Sequence, residues 1–175
     1  MQGIALSPTS FIVLGLLERL GRGTPYELKR AATESVGNFW SVPHSQVYAE
    51  PERLERAGLL TSEQEAGGRR RRVYALTAAG RRALEQWRTT PVQDGRAELR
   101  DPSLLKLHMG ADPAVLAPEQ RTVHERRLAE YERRRAGDDG TGPRGPWLTL
   151  DAGIAHEREW VRFWSQLARR YAPGG

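Results

Sequence analysis

Four consecutive arginines, Arg69, Arg70, Arg71 and Arg72, follow a Gly67-Gly68 pair, and upstream of them Ser45, Gln46 and Tyr48 open an amphipathic segment. Guanidinium groups hydrogen-bond phosphate oxygens in pairs. Ser and Gln side chains offer donors and acceptors suited to base edges or phosphates, and a Tyr hydroxyl suits a phosphate. Each feature also has a plainer reading. The arginine run can be a solvated charged face, Ser45 a helix cap, Gln46 a surface side chain and Tyr48 a half-buried ring.

The chain of 175 residues carries 27 Lys+Arg against 22 Asp+Glu, a net charge of +5. All the basic residues except Lys29 and Lys106 are arginines. Residues 1–90 hold 13 basic and 9 acidic side chains, whereas residues 91–175 hold 14 and 13. The excess therefore lies in the first half, a balance that suits a polyanionic partner.

Other chemistries find little support. With no cysteine, thiol nucleophiles, disulfides and Cys-type zinc sites are excluded. His44, His108, His124 and His156 show no metal-ligand spacing, and neither a Gly-rich phosphate loop nor a Ser-His-Asp signature is present. Neither an enzymatic role nor a cofactor or metal is expected. The longest apolar run, residues 11–17, is too short to span a bilayer, and the uncharged residues before it lack the basic flank of a secretory signal. The expectation is a soluble cytoplasmic protein.

The elements that would position these groups can be read from periodicity. Pro8 opens a helix over 9–20, with Val13, Leu14, Leu16, Leu17 and Leu20 on one stripe. Thr24 caps a second helix over 25–35 with Pro25 in its first position. Residues 37–42 form a turn whose Phe39 and Trp40 are expected in the core, and a third helix spans 45–57, ended by Gly58. The period then changes to two. A strand from Leu59 toward Gln64, a Gly67-Gly68 turn and a return strand over 71–76 make a hairpin with Val73 and Ala75 on one face and Tyr74 and Leu76 on the other. Thr77 caps a fourth helix over 78–89, with Leu84 and Trp87 as its apolar contacts.

Three helices followed by a hairpin is the order of a winged helix-turn-helix, in which one helix enters the DNA major groove and the hairpin touches the flanking backbone or minor groove. The fold class is thus mainly α with a small β-hairpin. The domain reading is a winged helix-turn-helix over 1–90, a connector over 91–100 and a helical block over 101–175. The helices of that block are expected at 103–109, 118–136 and 148–171. On the last of them Trp160, Phe163, Trp164, Leu167 and Tyr171 form an aromatic stripe, either intramolecular core or a dimer surface.

The wording of the motifs adds a resemblance. Leu6-Ser-Pro-Thr-Ser-Phe-Ile-Val-Leu-Gly-Leu-Leu17 with Tyr26-Glu-Leu28 resembles the opening of the PadR family of bacterial transcriptional regulators. Trp40-Ser-Val-Pro-His-Ser-Gln-Val-Tyr48 resembles that family's entry into the recognition helix. Arg53-Leu-Glu-Arg-Ala-Gly-Leu-Leu60 resembles its exit, and Arg72-Val-Tyr-Ala-Leu-Thr-Ala-Ala-Gly80 its second wing strand and following helix. Residues 101–171, with Asp101-Pro-Ser-Leu-Leu-Lys-Leu107, are similar to the longer C-terminal domain of one branch. Two positions depart from the family pattern. Pro25 stands where Gly is common, and Pro51 stands where Leu is usual inside the recognition helix, so a kink near residues 47–51 is expected.

The resemblance implies a repressor that binds a pseudo-palindromic operator in double-stranded DNA as a homodimer. It assigns Ser45, Gln46, Tyr48 and Arg53 to the recognition helix, Arg69 to Arg72 to the wing, and Thr24, Tyr26 and Lys29 to a backbone-positioning helix start, with Tyr26 alternatively in the core and Arg72 alternatively facing an acidic neighbour. It also implies dimerisation through the last helix, and a small-molecule effector of unknown identity between that helix and the first, with Phe11, Leu14, Trp160 and Trp164 on the facing surfaces. The alternative is a winged-helix protein-interaction module without DNA affinity.

Overall fold

The computed structural model describes residues 4–65, 71–92 and 100–172, apart from the side chains of Asn38 and His44. The chain divides into two compact units, Met1–Gly95 and Arg96–Gly175.

In the first unit, α1 (Pro8–Leu20) starts at an N-cap, Ser7, that exchanges hydrogen bonds with Ser10, and Pro8 occupies the first turn, where its missing N–H costs nothing. β1 (Arg22–Gly23) follows, then α2 (Pro25–Glu34), capped by Thr24. A 3₁₀ turn (Val36–Asn38) leads to α3 (His44–Arg56), and Gly58, at φ 75°, takes the left-handed conformation that ends it. β2 (Leu60–Gln64), β3 (Arg72–Leu76) and α4 (Ala78–Thr89) complete the unit.

The sheet is three-stranded and antiparallel in the order β1-β3-β2, so the expected hairpin gains an edge strand. Leu60 pairs with Leu76 and Gln64 with Arg72, while Gly23 pairs with Tyr74. The Gly67-Gly68 turn lies outside the described residues; the ladder is extended toward it by the Glu65 N–H, which donates to the Arg71 carbonyl at 3.0 Å. Leu14, Leu17, Leu28, Leu54 and Leu84 have no or almost no exposed surface and form the core with Tyr74 and Leu76. Each buried leucine contributes about 1.5–3 kcal/mol of transfer free energy.

Phe39 and Trp40 correct the sequence reading. They are 62% and 47% exposed, not core. Their amides both donate to the Val36 carbonyl, closing the 3₁₀ turn, and Val36 and Val42 take the places against the core. The aromatic rings are left outside. Trp87 is also half exposed, but it stacks on Phe11 with ring centroids 4.6 Å apart. α3 runs on through Pro51, whose ring is fully buried and which donates no hydrogen bond to the Val47 carbonyl.

The second unit is helical: α5 (Pro102–His108), α6 (Pro113–Ala136) and α7 (Gly145–Arg170). α6 starts five residues earlier than expected because Asp112 caps it by accepting from the Ala114 N–H, with Pro113 in the first turn, so Pro118 lies inside the helix. α6 and α7 pack along their lengths, and Gly153 lets the Tyr131 ring approach to where a Cβ would meet it at 3.1 Å. Buried between these helices, His124 Nδ1 and Glu157 Oε2 are 2.6 Å apart, and Arg127 reaches the other Glu157 oxygen at 3.3 Å. Among the described residues no helix is long and apolar enough to cross a membrane.

Candidate nucleic-acid interface

α3 packs against both α1 and α2, and its burial pattern defines what faces out. Val47, Glu50, Pro51 and Leu54 point into the unit. On the opposite side Ser45, Ala49, Glu52 and Arg56 are exposed, a stripe at helical spacing. Sequence reasoning named only Ser45 of these four. The signal was available, because the outward face lies opposite Val47 and Leu54 on a helical wheel. Nor is Ser45 the cap: the N-cap is Pro43, with no side-chain hydrogen bond, and Ser45 sits exposed in the first turn.

Two flanks border this stripe. On one, Tyr48 of α3 joins Thr24, Pro25 and Tyr26 at the start of α2 and Arg71 and Arg72 of the wing around an open groove of about 480 Å³. Tyr26 and Tyr48 are exposed, which rules out the core alternative for Tyr26, and the Arg71 side chain is exposed beside them. Lys29, one turn along α2, is half-buried. The start of α2 is largely satisfied from within. Glu27 accepts from the Thr24 N–H at 2.8 Å and hydroxyl at 2.9 Å, and the Glu27 N–H donates back to Thr24 Oγ1 at 3.3 Å. Those two bonds from Thr24 hold the Glu27 carboxyl below its ordinary value. Pro25 has no N–H, so among the described residues the amide of Tyr26 is what this first turn offers an anion.

Arg72 is committed inside the protein. Its Nε donates to Ser62 Oγ at 2.8 Å, its other end lies 3.0 Å from Glu55 Oε2, and the guanidinium stands over the Tyr74 ring. It joins the wing to α3, as the acidic-neighbour alternative has it. Arg69 and Arg70 lie outside the described residues.

On the other flank, Gln46 is exposed, with its Oε1 accepting from the Thr9 hydroxyl at 3.1 Å. Arg53 is bound on this side too. Its Nε donates to Glu50 Oε2 at 2.9 Å, Nη2 donates to Glu50 Oε1 at 2.6 Å and to Ser10 Oγ at 2.9 Å, and Nη1 donates to the Ala5 carbonyl at 3.1 Å. A contact from Arg53 to DNA would have to break these bonds, so its geometry is that of a brace between α1 and α3.

The residues expected to face a second copy or an effector are placed as follows. Trp164 has no exposed surface and packs with Leu116 and Ala117, while Trp160 and Leu167 are partly buried against the same cluster. Phe163 and Tyr171 are exposed. The stripe is thus mostly covered by its own unit, because α5 and α6 supply the apolar faces that close over it. Leu14 is likewise enclosed in the first core. Of the four expected effector contacts, only Phe11 and Trp160 keep accessible surface. Among the described residues no group of three or more His, Asp or Glu side chains could hold a metal ion.

Comparison with known proteins agrees with this architecture. The negative transcriptional regulator PadR of Bacillus subtilis is 31% identical over 102 residues, 56% of this chain and 54% of that protein. The chain spans about half the length of the curated relatives it matches. The crystal structure of B. subtilis PadR in complex with operator DNA superposes with a TM-score of 0.81 at 21% identity, covering 95% of this chain and 99% of that one. The structure of the same protein in complex with p-coumaric acid gives 0.74 at 24% identity, covering 94% and 98%. Residues 13–86 match the transcriptional regulator PadR-like family and residues 99–171 match the Virulence activator alpha C-term family. The chain therefore carries a PadR-like family domain over residues 13–86, followed by a Virulence activator alpha C-term domain over residues 99–171.

Proposed function

We propose that this protein is a sequence-specific DNA-binding transcriptional regulator, a repressor that binds a pseudo-palindromic operator as a homodimer and is released by a small-molecule effector. The observation that carries this reading is the outward stripe of α3 between two flanks able to hold DNA. Tyr26, Tyr48 and Arg71 offer phosphate donors on one side, and Gln46 offers a base-reading amide on the other. The stripe itself carries no large apolar side chain, as expected of a helix that lies in a polar, hydrated groove. The names of the B. subtilis relatives support the repressor and effector parts of the reading. Exposed Phe163 on α7 and Tyr171 at its C-cap are the residues offered to a second copy.

Selection of bound duplexes from a genomic library, followed by sedimentation of the complex, tests the proposal. The expected outcome is an enriched inverted repeat bound by two chains, with half-sites about one helical turn, roughly 34 Å, apart. Binding that shows no sequence preference and no fixed stoichiometry contradicts it.

A further inference from the structure

From Tyr74 outward to Arg72 the wing is a two-stranded ribbon. Among the described residues β1 pairs with Ala75 and Tyr74 alone, whereas β2 and β3 stay paired out to Gln64 and Arg72. Two strands without a third, or without a packed helix, are only marginally stable in water. What holds this outer part to the rest of the unit therefore decides where its arginines lie. Ser62 stands opposite Tyr74, so it shares a face of the ribbon with Arg72, and both meet Glu55 of α3. Ser62 Oγ donates to Glu55 Oε1 at 2.6 Å and accepts from Arg72 Nε at 2.8 Å, while Arg72 Nη2 lies 3.0 Å from Glu55 Oε2. Each of the three groups bonds the other two, which joins α3, β2 and β3 at one point. Arg71, the next residue outward, lines the groove with Tyr26 and Tyr48.

We infer that Glu55, Ser62 and Arg72 form a clasp that sets the wing against α3, and that Glu55 is a positioning residue for DNA binding, holding Arg71 where it reaches a phosphate. The inference rests on the DNA-binding reading above. It gives Glu55 an effect opposite in sign to that of its charge. An acidic side chain near DNA repels phosphates, so on charge alone its removal strengthens binding. A carboxylate that anchors the wing acts the other way. Its removal frees the ribbon from α3, the Arg71 contact is lost, and binding weakens.

The experiment titrates the full chain onto the selected operator duplex at several salt concentrations, followed by fluorescence anisotropy. Wild type, Arg71→Ala, Glu55→Ala, the two combined and Ser62→Ala are compared, with circular dichroism to check folding. Glu55→Ala is expected to bind about fivefold more weakly than wild type despite its lost negative charge, with a log–log salt slope shallower by about one. Arg71→Ala should show the same shallower slope, and the combined variant no further reduction, because the contact is already gone. A Glu55→Ala affinity equal to or above that of wild type overturns the inference. So does weaker binding at an unchanged slope, or slope reductions that add in the combined variant. An Arg71→Ala slope equal to wild type overturns it too, since there is then no phosphate contact to position. If Glu55→Ala does not fold, Ser62→Ala decides by the same slope, because it opens the clasp without changing charge: a slope shallower by about one supports the inference and an unchanged slope overturns it. All these outcomes leave the DNA-binding reading standing, whereas a wild-type chain that enriches no sequence overturns that reading and this inference with it.

Discussion

Glu50 is a charged side chain nearly removed from water beside the surface assigned to DNA. Burial pushes its carboxyl up, but the hydrogen bonds from Arg53 and Ser10 outweigh that and leave it below the ordinary 4.5. Its ionised form is therefore favoured by folding. The resulting stabilisation is present above pH 4.5, the value near which the unfolded carboxyl titrates, and is lost as pH falls through the lower folded value. Urea midpoints measured across that range should fall less steeply for Glu50→Gln than for wild type, and equal slopes would remove Glu50 from the account. Removing its partner is the harsher change. Arg53→Ala leaves a mostly buried carboxylate with only Ser10 to answer it, so the unit should lose about 1–3 kcal/mol by chemical denaturation. This network was not legible from sequence. An arginine on a recognition helix reads as a DNA contact, and only the tertiary approach of Ser10 and the Ala5 carbonyl reveals the brace.

Among the elements, α4 is fixed by a close approach. Gly80 sits where an added Cβ would meet the Leu59 carbonyl oxygen at 2.2 Å and the Leu76 side chain at 3.0 Å, so the start of α4 lies almost against the strands. Gly80→Ala must displace backbone, and it should cost at least about 2 kcal/mol of stability, read from the shift in thermal midpoint. An unchanged midpoint would mean that α4 moves freely on the sheet. α4 was legible from sequence because its signal is local: Thr77 caps it by accepting from the Gly80 N–H. α2 was legible for the same reason. β1 was not, since two residues, Arg22 and Gly23, show no alternation and become a strand only by pairing with Ala75 and Tyr74. Phe39 and Trp40 misled because large aromatic side chains read as core, while the smaller Val36 and Val42 fit the space available. For Trp164 the sequence left core and dimer surface both open, and Leu116 and Ala117 of the same unit pack against it.

In the whole molecule a unit carrying the PadR domain is joined to a helical unit, and the proposed function requires the outward face of α3 to enter the DNA groove. Ala49 lies on the exposed stripe of that face with Ser45 and Glu52, and it is exposed, so a substitution there leaves the core untouched. Ala49→Glu would set a second carboxylate beside Glu52 in the DNA groove, where base edges and nearby phosphates leave little room for added negative charge. The measurement is equilibrium binding of wild type and Ala49→Glu to the selected operator duplex, followed by fluorescence anisotropy at fixed salt, with circular dichroism to confirm equal folding. A loss of at least about tenfold in operator affinity with an unchanged fold is the predicted result. Equal affinity of the two proteins would contradict the claim and move the DNA contact away from α3.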